Sequence, residues 1–210
     1  MARDLAKKIG YVYVDSGAMY RAVTLYALRH GMISDNGIDT EALVKALPDI
    51  RISFEPAGAD GIQHTMLNGE DVEREIRDMQ VSSKVSSVAE IPEVRQRLTA
   101  LQQEYGEHKG IVMDGRDIGT TVFPHAEMKV FVDASPEERA RRRVRELEEK
   151  GEKVTYGEVL ENIRHRDLLD TTRKESPLRK AADAVVLDND RMTIAEQMQW
   201  LLDLYHKTAD

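Results

Sequence analysis

Three polar segments of the chain combine arginines with hydroxyl or carboxylate groups. The first is Asp15-Ser16-Gly17, with Arg21 five residues beyond Ser16. A hydroxyl group, the free backbone N–H groups of a helix start and a guanidinium together form a set that can bind an anion. The alternative is that Ser16 only caps a helix and Arg21 is a solvated side chain. On this segment alone both interpretations stay open.

The second polar segment runs from Asp114 to Phe123 and reads Asp-Gly-Arg-Asp-Ile-Gly-Thr-Thr-Val-Phe. It follows a predicted buried strand and ends in apolar residues. Because Arg116 and Asp117 are neighbours, they point different ways, so one can hold a phosphate while the other accepts a hydrogen bond from a ligand. A mutually paired surface loop is the alternative. We favour a ligand-binding loop, since so short a loop seldom needs so many polar groups.

The third polar segment runs from His165 to Arg173. Arg166, Asp170 and Arg173 have the spacing i, i+4 and i+7, which places them on one face of a helix if the helix continues that far. A row of helical salt bridges explains this spacing equally well. The segment is therefore a candidate for ligand binding that needs support from other parts of the chain.

A run of arginines lies in the predicted helix that precedes this segment. Its members are Arg139, Arg141, Arg142, Arg143 and Arg145. The spacings Glu138–Arg142 and Arg142–Glu146 predict ion pairs on a solvated helix. One or two of the arginines can still reach a polyphosphate if a flexible segment around Gly151 closes. RNA binding is a weaker interpretation, because aromatic residues make up only 5% of the chain.

Short apolar runs that alternate with helical patterns predict the elements that position these residues. The predicted strands are Tyr11–Val14, Gly110–Asp114, Met128–Val132 and Ala184–Leu187. The predicted helices are Ala2–Ile9, Ala18–Arg29, Asp78–Val88, Pro92–Tyr105, 136–149, 155–169 and Ile194–Tyr205. This alternation predicts an α/β fold, a parallel sheet with helices on both faces. Ligands of such sheets bind at the carboxyl ends of strands, so the polar turns beginning at Asp15, Asp114 and Asp133 are expected to line one crevice.

Residues 33–80 have a different, mixed pattern. A short helix is predicted at Asp39–Leu47, and strands are predicted at Arg51–Phe54 and Gln63–Leu67, with a hairpin-type turn at Asn68-Gly69. We therefore predict a core domain formed by residues 1–32 and 81–210, with a short lid near 139–156, and a small α+β insert over 33–80.

Composition excludes several classes of function. The chain has 210 residues, a formal net charge of −8 and no cysteine, so disulfides, zinc–thiolate sites and thiol nucleophiles are excluded. No apolar run approaches the 18 residues or so of a membrane span, and the net acidity disfavours binding to nucleic acid. The six histidines are scattered and form no metal-binding motif. The absence of cysteine fits the reducing cytoplasm, which is the expected location. The charged start of the chain does not have the pattern of a signal peptide.

Four motifs, in this order, resemble those of bacterial cytidylate kinases, which belong to the nucleoside monophosphate kinase group. They are Asp15-Ser-Gly-Ala-Met-Tyr-Arg21, Asn68-Gly-Glu-Asp-Val72 with Glu75-Ile-Arg77, Asp114-Gly-Arg-Asp-Ile-Gly-Thr120 with Val122-Phe-Pro124, and Arg166-Asp-x-x-Asp170-x-x-Arg173. Their spacing fits the family from Met1 to nearly the C-terminus. The insert over 33–80 is similar to the enlarged monophosphate-binding domain of that family. The resemblance thus implies a P-loop kinase-like fold and a nucleotide substrate.

The resemblance also implies a role for individual residues. Ser86, Arg95 and Asp117 match base-reading positions, and Arg166 and Asp170 match positions near the sugar. Ser16, Arg21, Arg116 and Arg173 match positions near the α-phosphate. A carboxylate that accepts from the N4 amino group of cytosine, with an arginine that donates to its acceptor edge, fits cytosine better than uracil. Cytosine is therefore the expected base.

The implied reaction is in-line transfer of the γ-phosphoryl group of ATP to CMP or dCMP, in pyrimidine nucleotide metabolism. Arg116 and Arg173 neutralise charge, and no dedicated base is needed. Asp114 can hold Mg²⁺ through water; the ion comes with ATP, and no direct protein ligand set is expected. Arg139, Arg141, Arg142 and Arg143 are the lid candidates. Expected partners are ATP and the monophosphate, with neither membrane nor nucleic acid, and the family implies a monomer.

One motif of the group is missing from this sequence. No strand is followed by the pattern G-x-x-x-x-G-K-[ST] that cradles ATP, and no Gly-Lys pair occurs in the chain. Either the native protein is longer, which we favour, or the shorter chain is real; in both cases the chain as written is expected to be a poor kinase. The alternatives are an inactive CMP-binding module and a kinase of another small acceptor, such as UMP.

Overall fold

A computed structural model describes residues 1–55, 63–149 and 151–209. The described helices are α1 (Ala2–Ile9), α2 (Ser16–Arg29), α3 (Thr40–Ala46), α4 (Met79–Val88), α5 (Pro92–Gly106), α6 (Pro136–Glu149), α7 (Tyr156–Thr172) and α8 (Ile194–Ala209). The described strands are β1 (Val12–Asp15), β2 (Ile33–Ser34), β3 (Gly37–Ile38), β4 (Ile52–Glu55), β5 (His64–Leu67), β6 (Glu70–Asp71), β7 (Ile111–Asp114), β8 (Val130–Asp133) and β9 (Val185–Asp188). The α/β class predicted from the sequence is confirmed.

The chain divides into two compact units. One comprises residues 1–11 and 116–210, and the other comprises residues 12–115. Parallel strands occur in each: β1 pairs with β7 in the second unit, and β8 pairs with β9 in the first. The predicted split into a core and an insert over 33–80 follows a different boundary and stays a prediction; residues 56–62 of that insert and residue 150 of the predicted lid lie outside the described residues.

The unit of residues 12–115 is built around helix α2. Met19 and Val23 of this helix are completely or almost completely buried, in one hydrophobic cluster with Val81 of α4 and Leu98 of α5. Strands β4, β5 and β6 form an antiparallel sheet, and β2 pairs with β3 in a short hairpin. Burial of this cluster removes a large apolar area from water, which is the main force that holds the helices against the strands.

Local sequence signals explain where several elements begin and end. Gly10 ends α1 in the left-handed conformation, with φ of 73°. Asn68 and Gly69 both have positive φ angles (52° and 86°), as a tight hairpin turn requires, which confirms the predicted turn. Asp15 caps α2, because its Oδ1 accepts a hydrogen bond from Ala18 N at 2.9 Å. As a result α2 begins at Ser16, two residues earlier than predicted.

The unit of residues 1–11 and 116–210 contains a pair of packed helices, α6 and α7. Ala140, Leu147 and Val159 are buried in this part of the chain. Thr155 and Glu158 form a capping box at the start of α7, satisfying the first free N–H groups of that helix. Over the described ranges, no helix has both the length and the apolar character that a membrane span requires.

Candidate active site

Two carboxylates face each other at the ends of strands β1 and β7. Asp15 and Asp114 are register partners in the parallel pair, where two of the predicted strands lead into polar turns. Tyr13 donates a hydrogen bond to Asp114 Oδ1 at 3.1 Å. Although Asp114 is an exposed residue, the protein packed around its carboxyl group and the charge of Asp15 raise its pKa to about 6. An acidic pair of this kind favours a nearby cation.

Arg77 supplies one such positive charge. Its Nη2 lies 2.7 Å from Asp15 Oδ2 and 2.8 Å from Glu73 Oε1. Glu73 in turn accepts a hydrogen bond from the buried Thr65 hydroxyl at 2.6 Å. The pKa of Arg77 is raised, because the attraction of the two carboxylates outweighs the opposing effect of burial. The sequence prediction included Arg77 in a family motif but gave it no role.

Ser16 and Arg21 are both engaged within the protein. The Ser16 hydroxyl donates to the backbone oxygen of Asp114 at 2.6 Å, which ties the start of α2 to the end of β7. Arg21 Nη1 donates to the backbone oxygen of Ile76 at 3.0 Å and to Ser82 Oγ at 2.8 Å. Both residues therefore have structural partners, and an anion that binds Arg21 has to share or replace them.

The other two predicted contacts of this unit are buried. Ser86 lies on α4, and Arg95 lies on α5 with 4% of its surface exposed. Arg95 Nη1 donates to Ala89 O at 3.2 Å, and its guanidinium carbon lies 5.5 Å from the centre of the Tyr20 ring. An arginine held this way has its donor groups fixed in direction, as base recognition requires.

The second group of predicted residues forms a buried ion-pair network within the other unit. Asp170 accepts from Arg116 Nε at 2.8 Å and from Arg173 Nη1 at 3.1 Å. Asp117 lies 3.8 Å from Arg173 Nη2. Asp117, Asp170 and Arg173 are each 6% exposed or less. The structure thus brings together residues of two predicted segments that are more than fifty positions apart in the chain.

The prediction that Arg166, Asp170 and Arg173 share one helix face is correct only for the first two. Helix α7 ends at Thr172, and Arg173 has an extended ψ of 145°. The chain then folds back, so that Leu178 N donates to Asp170 O at 2.7 Å and the Arg173 guanidinium donates to Ser176 O. These bonds replace the next helical turn. Arg173 therefore lies beside Asp170 because the chain folds back, and not because the two residues share a helix face.

Arg166 differs from its neighbours in its hydrogen bonding. Its buried Nε has no hydrogen-bond partner in the part of the chain that the structure describes. Burial and the nearby charge of Arg116 lower the pKa of Arg166. A buried guanidinium under such repulsion is stabilised by an added negative charge, which is what an anionic ligand supplies.

A π-helical turn, Ile118–Val122, follows Asp117. The backbone oxygen of Asp117 accepts from Thr121 N at 2.8 Å, and Ile118 O accepts from Phe123 N at 2.7 Å. Turns of this kind are rare and recur at functional sites, since they redirect the chain within a single turn. The prediction identified this segment as a ligand-binding loop but not its conformation.

The four lid candidates lie on α6, and carboxylates engage each of them. Arg139 forms a two-point ion pair with Asp167 of α7. The other pairs are Arg141–Glu138, Arg142–Glu138 and Arg143–Glu146. The predicted Glu138–Arg142 pair is confirmed. The predicted Arg142–Glu146 pair is wrong, because Arg142 turns toward the backbone oxygen of Asn189, at 2.6 Å, and Arg143 takes Glu146.

The described residues contain no cluster of three or more side chains suited to hold a metal ion. Asp114 is the candidate for a cation that arrives with its own ligands, because both carboxylate oxygens of Asp15 already accept hydrogen bonds, from Ala18 N and Arg77 Nη2. Mg²⁺ bound to nucleotide phosphates is such a cation, because it keeps several waters and needs few protein carboxylates. The raised pKa of Asp114 fits this role, since a bound cation would stabilise the ionised carboxylate and lower that pKa again.

Ligands of parallel α/β sheets bind at the carboxyl ends of strands, and arginines suit the recognition of phosphate groups. Comparison with known proteins specifies the family: the cytidylate kinase family matches residues 1–207. The cytidylate kinase of Parabacteroides distasonis is 59% identical over 207 residues, or 99% of this chain and 90% of that protein. The chain therefore belongs to the cytidylate kinase family, and it is an enzyme, a nucleotide-binding kinase of the transferase class.

Two further relatives agree with this assignment. The cytidylate kinase of Bacteroides fragilis strain ATCC 25285 is 56% identical over 207 residues, covering 99% of this chain and 90% of that protein. The cytidylate kinase of Porphyromonas gingivalis is 55% identical over 210 residues, covering 100% of this chain and 91% of that protein. Membership of a kinase family implies the use of ATP.

Proposed function

We propose that this kinase transfers the γ-phosphoryl group of ATP to the monophosphate of CMP or dCMP, forming CDP or dCDP. The observation that carries the proposal is the charge of the cluster around Asp170. Arg116 and Arg173 pair with Asp170, and Arg173 also lies near Asp117. Arg166 adds a third guanidinium, and its buried Nε has no hydrogen-bond partner among the described residues. Asp167, which also acts on Arg166, is already paired with Arg139, so positive charge is in surplus at this place. A nucleotide phosphate is the anion that such a cluster suits.

The phosphate contacts in this proposal come from the arginines and the hydroxyl implied by the family resemblance. They are Ser16, Arg21, Arg116 and Arg173. Arg116 is more accessible than Arg173, with 42% of its side chain exposed against 3%. Its Nη groups can therefore reach an anion without breaking the bond from Nε to Asp170. Charge-assisted hydrogen bonds contribute roughly 1.5–3 kcal/mol each, so a few of them can hold a monophosphate.

Base and sugar recognition are assigned in the same way. Asp117 accepts from the cytosine amino group, and Ser86 and Arg95 donate to the acceptor edge, whereas uracil would present an oxygen to the carboxylate. Arg166 and Asp170 contact the sugar. The buried position of Asp117 supports the first assignment, because a carboxylate with 5% exposure discriminates strongly between a donor and an acceptor.

The phosphoryl transfer requires positioning and charge neutralisation rather than a general base. The attacking phosphate oxygen is already an anion, so Arg116 and Arg173 act by holding it in line and by balancing its charge. Mg²⁺, when bound with ATP, supplies further charge neutralisation on the phosphates, and Asp114 would hold it through water. In this proposal one of the lid candidates on α6 contacts ATP.

Binding and transfer are tested separately, because the sequence lacks the Gly-x-x-x-x-Gly-Lys pattern. Thermal unfolding is measured with CMP, dCMP, UMP and AMP, and CDP formation is then measured with ATP and Mg²⁺. A ligand that binds only the folded state raises the transition by mass action, by about 2.7 kcal/mol at a hundredfold excess over its Kd. The expected result is a shift by CMP and dCMP alone. A cooperative transition that no nucleotide shifts would overturn the proposal.

A further inference from the structure

Lys129 is a buried lysine that no sequence motif identified. Its side chain is 6% exposed, and its Nζ donates to the backbone oxygen of Pro124 and to Asp183 Oδ2, the latter at 2.7 Å. Pro124 follows the loop that begins at Asp114, and Asp183 lies two residues before β9. One ammonium group therefore fastens the end of the loop to the start of a strand.

The aliphatic part of Lys129 lies against the π-helical turn. A methyl group on Gly119 would come within 3.3 Å of Lys129 Cδ and 3.5 Å of its Cγ. Gly119 does not have a positive φ, so its lack of a side chain serves close packing rather than backbone freedom. The turn, the lysine stem and the two oxygens around Nζ thus form one packed unit, next to the residue that begins the turn, Asp117.

We infer that Lys129 is a positioning residue that sets base selectivity by holding the turn that carries Asp117. The inference rests on the proposed function, in which the Asp117 carboxylate reads the cytosine amino group. Thr121 N and the Thr120 hydroxyl both bond to the backbone oxygen of Asp117, at 2.8 and 3.2 Å, so the orientation of Asp117 follows the geometry of the turn. A displaced turn would misalign the carboxylate.

The test compares Lys129→Met with wild type and with Lys207→Met, a matched change at an exposed lysine of α8. Methionine keeps much of the stem but removes the charge and both bonds. CMP and UMP affinities are measured by calorimetry below the unfolding transition. We expect CMP affinity to fall about tenfold or more, as loss of one charge-assisted hydrogen bond requires, with UMP affinity unchanged within about twofold. A purely structural lysine would leave the CMP/UMP ratio at its wild-type value, and that result would overturn the inference.

Two further measurements keep the inference testable by other routes. Gly119→Ala, which crowds the lysine stem, is expected to lower the CMP/UMP ratio in the same direction if Lys129→Met does not fold. Amide hydrogen exchange at Thr121 reports the turn without any nucleotide: Lys129→Met is expected to speed it, and unchanged protection would contradict the inference. If wild type itself shows no preference for CMP while exchange at Thr121 is faster in the variant, the proposed function fails and the support of the turn by Lys129 stands.

Discussion

Removal of the charge of Asp170 tests the buried ion-pair network most directly. Asp170→Asn keeps the shape of the side chain and one acceptor oxygen, but it leaves Arg173 without its hydrogen-bonded carboxylate. The side chains of Asp170 and Arg173 are 5% and 3% exposed, and the distance between them is 3.1 Å. The pair with Arg116 involves a side chain that is 42% exposed, so screening by solvent makes it weaker.

The magnitude follows from these exposures. The half-exposed pair with Arg116 contributes no more than about 1 kcal/mol. Breaking a buried pair costs about 3–5 kcal/mol when a charge remains uncompensated. The acceptor oxygen that asparagine retains, and the Asp117 carboxylate 3.8 Å from Arg173 Nη2, place the substitution at the lower end. A loss of about 3 kcal/mol corresponds to a fall in Tm of about 6–12 °C for a chain of this size, at roughly 2–4 °C per kcal/mol.

The fall in Tm is measured by circular dichroism during heating, with Asp203→Asn on the exposed surface of α8 as the matched control. The control is expected to stay within about 1–2 °C of wild type, since exposed substitutions change stability by less than about 0.5 kcal/mol. Inorganic phosphate is expected to stabilise Asp170→Asn more than wild type, because the variant has one negative charge fewer beside its arginines. A Tm within about 2 °C of wild type would refute the reasoning, since it would show that Arg173 does not depend on Asp170.

The remaining predictions concern three other places. Because the pKa of Asp114 is raised to about 6, the folded protein binds a proton at higher pH than the unfolded chain does. The stabilising contribution of this group is therefore fully present below pH about 4 and is lost as the pH rises through about 6. Urea unfolding at pH 5 and 7 is therefore expected to show a larger loss of stability with rising pH in wild type than in Asp114→Asn, and equal losses would contradict the assignment. Thr155→Ala removes the oxygen that caps α7 and is expected to lower the free energy of unfolding, measured in urea, by about 1 kcal/mol. No change would contradict the cap, because it would mean that Glu158 alone stabilises the start of α7. Arg139→Met is expected to cost about 1 kcal/mol through its half-buried pair with Asp167, and a double-mutant cycle with Asp167→Asn that gives no coupling would disprove the pair.

The sequence predicted the elements whose signals are local. The strands that end on Asp15, Asp114 and Asp133 were expected from short apolar runs, and the hairpin turn at Asn68-Gly69 from its two residue types. Strands β2, β3 and β6 were not predicted, because two residues carry no periodicity. The start of α2 was predicted two residues too late, because its cap, Asp15, is also the last residue of β1 and no turn separates the two elements.

The site was predicted as a set of residues, not as a set of contacts. Arg116, Asp117, Asp170 and Arg173 were all singled out, but a sequence does not show that Asp170 is shared by two arginines. Lys129 was missed for a physical reason: a lone lysine before an apolar strand has the pattern of an exposed residue, and its burial depends on Asp183, more than fifty positions away. The glycine at position 119 was the available signal, because a glycine without a turn requirement suggests a close neighbour.

The ion pairs of helix α6 have a consequence for how fast a nucleotide reaches the protein. Carboxylates neutralise its lid candidates, so these arginines add little to the field beyond the surface, and the molecule as a whole carries a net charge of −8. Within a few screening lengths of the surface, each about 8 Å at physiological ionic strength, an approaching nucleotide anion is repelled by that net charge, and added salt shortens this range. Encounter is therefore expected to become faster as salt is added, the reverse of what enzymes show when an open basic surface steers anionic substrates inward.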